Sequence, residues 1–454
     1  MSTSGLNLSS LGLTSSTATS GSGIDVTSVV NQIINSERGP EQIWQQQQSE
    51  SQSESSALSS MNTSLTTLSD KVTALNDFFG VLAAKTATSS QPSILTASTS
   101  SSAAAGNHLI VVSNLASTGT AYSDALGDAN TTFATGKISL QVGSASHDIQ
   151  IDDTNDTLSS LASYINQQNF GVTASVVTDV SGSRLALVSN ATGTSGDLSI
   201  SANTSGLNIN KGATGKNAAL TVDGVPFSSA TNTVTGAIPG VTLSLLGASA
   251  GTEVQLTVGP DQASAAQAVT DFVNAYNSVI TAINKGTAFD SSTNQAGALS
   301  GDSSVRLLQS HLLSNAAHAV SGAGGLVNLG SMGVTMNDDG TLTVDSSKLN
   351  DVVTTDYPDF QNFFQSASSG FATNFAKDLT SLTDPTKGVL NLDLTQHTSE
   401  QKALTDQIND FEAQLAVRQQ QLTTQYSQVD AELRQFPMIM QQITSQLDSL
   451  SSGK

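Results

Sequence analysis

From Leu58 onward, large apolar residues recur at alternating steps of three and four. Leu58, Met61, Leu65, Leu68, Val72, Leu75, Phe79 and Leu82 therefore share one seam of a predicted helix, roughly 37 Å long. A stripe so narrow holds a helix in water only when another helix covers it. A second seam lies near the other end of the chain. It opens with Leu404, Ile408, Phe411 and Leu415, passes Arg418, and continues through Leu422 and Tyr426 to Val429, Leu433, Phe436, Met440, Ile443, Leu447 and Leu450. Two successive steps of four, Arg418 to Leu422 to Tyr426, form a stutter that locally unwinds a left-handed supercoil. If helical throughout, 404–450 spans roughly 70 Å. Pro437 removes one backbone donor, and the spacing resumes in phase beyond it, which predicts a kink and not a stop.

The two seams predict a stem in which Leu404, Ile408, Phe411 and Leu415 pack on Leu65, Leu68, Val72 and Leu75. The C-terminal seam is the longer. Either the stem is purely intramolecular, or the surplus is kept for neighbouring subunits. Ahead of the first seam, Asp25 is placed to cap a helix with Val26, Val29, Val30, Ile33 and Ile34 on one face. Ile24, Val26, Val29, Val30 and Ile33 join Val429, Leu433, Phe436, Ile443, Leu447 and Leu450 as candidate contacts with partners or sister copies. Gly39-Pro40 reads as a hinge. Residues 1–23 are mostly Ser, Thr and Gly, with Leu6, Leu8, Leu11 and Leu13 as regularly spaced exceptions. Such a segment is expected to be disordered in the free monomer, as a plain tail or as one that orders against a partner.

The pattern changes between the seams. Residues 86–107 read as a Ser/Thr/Ala linker. Period-two alternation then predicts strands at Leu109–Val112, Ile138/Leu140/Val142, Ile149/Ile151, Val172/Ala174/Val176 and Leu185/Leu187. One helix interrupts them, with Leu158, Leu161, Ala162 and Ile165 on one face behind Thr157. Leu220/Val222, an Asp223-Gly224 hairpin turn, Val241/Leu243/Leu245 and Val254/Leu256/Val258 complete the block. Helical faces return at Ala265, Val269, Phe272, Val273, Tyr276, Ile280 and Ile283, and at Val305, Leu308, Leu312, Ala316 and Ala319. A short hairpin around Asn337–Gly340 precedes the final helical region.

The predicted fold class is α+β and multidomain, a discontinuous helical coiled-coil stem from both termini with inserted β-rich head domains. Residues 1–40 form the terminal segment and 41–85 the N-terminal stem helix. The β-rich middle is taken in three parts, 86–125, 126–206 and 207–258, with the predicted helix in the second. Residues 259–400 return to a helical stem with a short hairpin, and 401–454 form the C-terminal coiled-coil helix.

Composition narrows the function. The chain has 454 residues, with 37 acidic against 16 basic and a formal net charge of −21. That balance argues against nucleic-acid binding, which needs clustered Lys and Arg, and against docking on anionic lipid. Aromatics make up only 4% and charged residues 12%, so small and aliphatic side chains build the cores and the surface is mostly neutral and polar. There is no Cys, which excludes disulfides, thiolate metal sites and Cys nucleophiles. No stretch approaches the roughly 20 apolar residues of a membrane span, and the first residues lack the basic and apolar regions of a secretory signal. His108, His147, His311, His318 and His397 are scattered. His311 and His318 could share a helix face, but neither has an acidic residue three or four positions on. The run Asp152, Asp153, Asn155, Asp156 lacks the glycine and final Glu of a calcium loop and reads as a helix-capping turn. No catalytic, cofactor or metal constellation emerges.

Several stretches resemble a known family in the same order. GSGIDVTSVVNQIINSERGP (21–40) resembles the N-terminal region of the hook-associated protein 2 family, the bacterial flagellar filament caps. Residues 103–117 look like its first head strand, and 138–193 resemble the β-α-β module shared with flagellin and hook proteins. Residues 218–246, 268–280, 329–353 and the terminal helix also fit. The resemblance implies a non-enzymatic protein without cofactors, in a ring of about four to six copies at the flagellar tip. Its implied partners are sister copies, flagellin, a hook–filament junction protein and a flagellar export chaperone, with no nucleic acid and no membrane insertion. It implies an extracellular location, reached through the flagellar type III apparatus, and insertion of exported flagellin beneath the ring. The alternatives are a hook–filament junction protein, a flagellin-like subunit, or a surface adhesin for host mucin or glycans.

Overall fold

The computed structural model describes residues 24–292 and 294–451. The helices in chain order are α1 (Val26–Glu37), α2 (Gly39–Asn76), α3 (Leu158–Gln168), α4 (Gln262–Thr287), α5 (Ser303–Ala316), α6 (Ser346–Thr355), α7 (Tyr357–Gln365), α8 (Phe371–Leu382) and α9 (Val389–Ser451). The chain divides into two compact units. One combines the described residues up to Thr73 with Thr270–Ser346 and the part from Ser366 onward; the other combines Ala74–Val269 with Ser347–Gln365.

The first unit is helical. Asp25 starts α1 as expected, its carboxylate accepting from the Ser28 amide at 3.0 Å. The predicted hinge at Gly39-Pro40 is slight. Only Arg38 separates α1 from α2, because Pro40 sits in the first turn of α2, where its missing N–H has no helical acceptor to lose. Leu58, Met61, Leu65, Leu68 and Val72 are fully buried on α2. Lys71 Nζ meets Asp271 Oδ2 at 3.1 Å, tying that half of α2 to α4. Nearby cohesion comes from Phe272, Phe371 and Phe375, packed edge to face with centroids 5.6 to 5.9 Å apart. The hairpin at Asn337–Gly340 forms as predicted, joining Val334–Met336 to Leu342–Val344. The helix α9 runs on through Pro437 without ending, as the in-phase spacing required.

The second unit holds the β block. It opens with β1 (Lys85–Ser89), β2 (Leu95–Thr99), β3 (Gly106–Asn114) and β4 (Thr118–Ser123). Strands β5 (Gly136–Val142) and β6 (Ala145–Ile151) precede α3; β7 (Val172–Asp179), β8 (Gly182–Thr192), β9 (Leu198–Asn203) and β10 (Ile209–Lys211) follow it. The block closes with β11 (Ala218–Val222), β12 (Val225–Ser229), β13 (Thr233–Ile238), β14 (Val241–Leu245) and β15 (Val254–Pro260). Two cores result. The sheets β1-β15-β3-β11-β12 and β13-β14-β2 supply one, around Ile110, Val112, Leu220, Leu243 and Leu256. The sheets β10-β4-β8-β7 and β6-β5-β9 supply the other with α3, around Leu140, Ile151, Leu161 and Leu187.

Local chemistry explains the turns. Asp223 and Gly224 both have positive φ, 52° and 81°, the mirror-image turn that matches strand twist between β11 and β12. Thr157 and Ser160 form a reciprocal capping box on α3, and Asp152 closes its own turn by accepting from Thr154, so the acidic run serves helix entry. Two expectations fail here. The supposed linker 86–107 contains β1 and β2; their Thr, Ser and Ala residues hide the strand signal, and pairing with β15 and β14 supplies it. Phe79 is not part of the seam. The helix stops at Asn76, the Asp77 carboxylate captures the Phe79 amide at 2.9 Å, and the Phe79 ring is 85% exposed. Leu75 remains buried, and Leu82 is buried in the short 3₁₀ turn that follows.

Candidate protein–protein interface

The helices α1 and α2 run antiparallel to α9, and a ladder of side-chain hydrogen bonds fixes the register. The Ile24 amide donates to Asp430 Oδ1 at 2.7 Å, and Gln419 Nε2 donates to Asn31 Oδ1 at 3.3 Å. Lower down, Gln48 Nε2 donates to Thr405 Oγ1 at 2.7 Å, and Gln401 Nε2 to the Ser51 carbonyl at 3.0 Å. Asn62 Nδ2 reaches Asn391 Oδ1 at 3.2 Å. Residue numbers rise on one side as they fall on the other, with no offset where α1 gives way to α2.

This register corrects the predicted stem. Leu404 lies opposite the Gln48 region and not opposite Leu65–Leu75. Carried on to Leu65, the same register passes the start of α9 at Val389, so Leu404, Ile408, Phe411 and Leu415 cannot reach Leu65, Leu68, Val72 or Leu75. The two seams are alike in period but belong to different stretches of the stem. Periodicity alone carries no information on register.

The apolar contact between α1 and α9 is compact. Val30, Ile34, Leu415 and Leu422 form its buried centre, flanked by Val26, Ile33, Phe411 and Tyr426. Leu404 is also buried, and Ile408, Ile24 and Val29 are half-buried. Val30 is therefore spent within the chain and is not free for a partner, a second correction. Trp44 packs edge-on against Phe411, with centroids 5.3 Å apart. At the stutter, Arg418 turns outward and its Nε lies 3.6 Å from Glu37 Oε1.

A guanidinium fastens the α1–α2 junction. Arg38 Nη1 and Nη2 bond Glu412 Oε1 and Oε2 at 2.6 and 3.0 Å, and Nη1 also bonds the buried Glu41 at 2.6 Å. The bond from Arg38 holds the Glu412 carboxyl below the usual carboxylate range, and the bond to Glu412 raises the guanidinium in turn. Farther along, His397 Nδ1 sits 3.4 Å from Glu54 Oε2 and 3.3 Å from Ser51 Oγ, and burial pushes the Glu54 and Asp393 carboxyls upward. Arg38, Glu412 and Trp44 lie off the seam positions, whereas Ile34 lies on the apolar face predicted for α1. An Arg set immediately before Gly-Pro was the only signal pointing to the fastening.

Among the described residues the cover ends at Asp430. Val429 just before it and Leu433, Phe436, Ile443 and Leu447 beyond it are all exposed, with Leu447 61% open to solvent. The side chain of Leu450 and the predicted tail 1–23 lie outside the described residues. The remaining four histidines have local partners: His108 Nδ1 is 2.8 Å from Asp223 Oδ2, His311 Nδ1 is 3.0 Å from Asp378 Oδ2, His318 Nε2 is 3.3 Å from Asn374, and His147 stacks on Phe170. Among the described residues no group of three or more His, Asp or Glu is placed to hold a metal ion. None of their helices is long and apolar enough to cross a membrane. Among the described residues, none covers the apolar side chains of the last third of α9.

Known proteins share this layout. The family model described as flagellar hook-associated protein 2 N-terminus matches residues 22–119, and its C-terminal counterpart matches 215–436. A flagellin hook IN motif matches 137–191, the part that contains α3. The B-type flagellar hook-associated protein 2 of Pseudomonas aeruginosa is 31% identical over 469 aligned residues, covering 94% of this chain and 97% of the relative. The flagellar hook-associated protein 2 of Escherichia coli K12 is 29% identical, covering 99% of this chain and all of the relative. The crystal structure of the D1-D2-D3 domains of the flagellar cap protein FliD from Escherichia coli superposes with a TM-score of 0.57 at 28% identity, covering 75% of this chain and 99% of that one. Helical ends, an antiparallel β block and full-length similarity agree: the chain belongs to the flagellar hook-associated protein 2 family.

Proposed function

We propose that the chain is the cap at the distal tip of a bacterial flagellar filament, where sister copies form a ring of about four to six. As a member of this family it is a structural flagellar protein and not an enzyme. Flagellin delivered to the tip folds beneath the ring and is inserted below it. A hook–filament junction protein, an export chaperone and the flagellar type III route complete the proposed setting.

The observation that carries this reading is the apolar end of α9, which no described residue covers. A helix with an apolar stripe and no cover is held in water by whatever packs on it, and in a ring that is a neighbouring leg or the filament. The test follows from the register. Removing 404–454 would also strip the cover from Val30 and Ile34, so the informative truncation ends at Asp430. The intact chain is expected to form a closed ring by mass photometry and electron microscopy, and the truncated chain to stay monomeric with its β block folded. A strain lacking the gene is expected to release monomeric flagellin and grow no filaments. Normal filaments in that strain would remove the cap reading, and lost adhesion with intact motility would favour an adhesin.

A further inference from the structure

Midway along the stem, His397 of α9 stands among carboxylates from α2, α9 and the cap of α5. Its side chain is only 15% exposed. Nδ1 faces α2, 3.4 Å from Glu54 Oε2 and 3.3 Å from Ser51 Oγ, with Glu400 Oε2 at 3.9 Å. Nε2 faces Asp393 Oδ1 at 4.0 Å. The N-cap of α5, Asp302, accepts from the Ser304 and Val305 amides at 2.7 and 3.3 Å, and its carboxyl adjoins that of Asp393.

The cluster has more acceptors than donors. Asp393 Oδ2 is buried and meets no donor. The neighbouring Asp302 carboxyl is a second acceptor, so the two can bond only when one of them carries a proton. The charged groups acting on Glu54 are His397, Glu400, Glu50 and Asp302, and those acting on Asp393 are Asp302 and His397; of these, His397 is the one that can turn positive. Cations close by in sequence are committed elsewhere, Arg306 to the Gly301 carbonyl and Lys402 to Asp406, each at 2.8 Å. A neutral imidazole donates from one nitrogen, whereas an imidazolium donates from both and can serve Glu54 and Asp393 together. Burial lifts both carboxyls above the ordinary value of about 4. A group raised on folding supports the folded arrangement in full below its ordinary value, and that support is lost as pH rises through the raised one.

We propose that this cluster is a proton-operated clasp: holding protons, it draws α2, α9 and the start of α5 together, and having lost them it slackens the middle of the stem. The fastening at Arg38 answers pH in the opposite sense, since the Glu412 carboxyl must be ionised to hold. The stem therefore carries two fastenings at different heights. One gains as the medium turns mildly acidic, and the other fails only in stronger acid. Neither depends on the ring, so a chain that makes no ring can still bear this out.

The test is amide hydrogen exchange of the full chain at about pH 5.5 and about pH 8, each rate divided by the intrinsic rate at its pH. Peptides covering 48–58 and 389–401 are expected to be about fivefold better protected at the lower pH. Peptides covering 26–37 and the β block serve as reference and are expected to stay within about twofold. Glu54→Gln combined with Asp393→Asn removes the titrating carboxyls with little change of shape, and should leave protection at 389–401 alike at the two pH values. Equal protection of 389–401 in the parent at both values would overturn the proposal, and so would a gain that persists in the double variant. A gain shared in full by the reference peptides would also overturn it, as general relief of the net charge of −21. Should the double variant lose its stem, the parent's contrast between 389–401 and the reference peptides decides alone.

Discussion

Leu415 is one of four buried side chains that hold α1 against α9, and Leu415→Ala isolates what that small cluster is worth. The α1 helix has 12 residues, a length at which an isolated helix is marginal in water. Its order therefore depends on Val30 and Ile34 finding Leu415 and Leu422. Leu→Ala in a core costs about 2–5 kcal/mol. The cluster is narrow and its edge open, so partial collapse places this case at about 2–3 kcal/mol. At 1.4 kcal/mol per factor of ten, local opening of α1 rises roughly 30- to 150-fold. Amide hydrogen exchange followed by mass spectrometry reads this directly, because opening of a weakly held element is sampled below the global unfolding free energy. Peptides covering 26–37 are expected to exchange faster by that factor, while peptides from β1 to β15 keep their rates. Val417→Ala, two residues on but exposed, is expected to change neither. Exchange in α1 within threefold of the parent, with Leu415→Ala present, would refute the claim that this cluster holds the helix.

Arg38→Gln removes both bonds to Glu412 and is expected to speed exchange in α1, by less as salt is raised. Since Arg38 lowers the Glu412 carboxyl, that pair supports the folded leg above the ordinary carboxylate range and fails as acidification passes through the lowered value; exchange measured down a pH series should show the loss in the parent and not in Arg38→Gln. Tyr357→Phe deletes the hydroxyl that donates to the Leu82 carbonyl at 2.9 Å, for about 1–2 kcal/mol in a denaturant melt. Burial pushes the Tyr357 hydroxyl to about 12, so its contribution is full below the ordinary value near 10 and lost as pH rises through 12, an alkaline loss absent from the variant. Phe79→Ser should leave stability within about 0.5 kcal/mol, because the ring touches solvent and not the stem.

Much of the architecture was legible because it rests on local rules. The seam from Leu58 to Leu75, the turn at Asp223-Gly224, the Thr157 cap and the passage through Pro437 each follow from spacing or turn chemistry within a few residues. What failed was information that local rules do not hold. Heptad spacing shows that Leu404 needs a partner but not which one; that choice lies in polar pairs such as Gln48 with Thr405 and Arg38 with Glu412, hundreds of residues apart. The strands β1 and β2 were hidden for a related reason, since their neighbours and not their own side chains define them. At the interface, the outward-facing residues past Val429 were legible as a seam, whereas Val30 looked equally free until α9 was seen to cover it.

The bond between Ile24 and Asp430 closes a loop of 406 residues. A polypeptide emerging into solution from either end therefore presents one half of this latch long before the other. Until nearly all of it has appeared, α1 has nothing to fasten to and stays pliant, while the β cores, whose contacts are nearer in sequence, can already be complete. Closure of the leg is then expected to come late in folding, after both Ile24 and Asp430 have emerged.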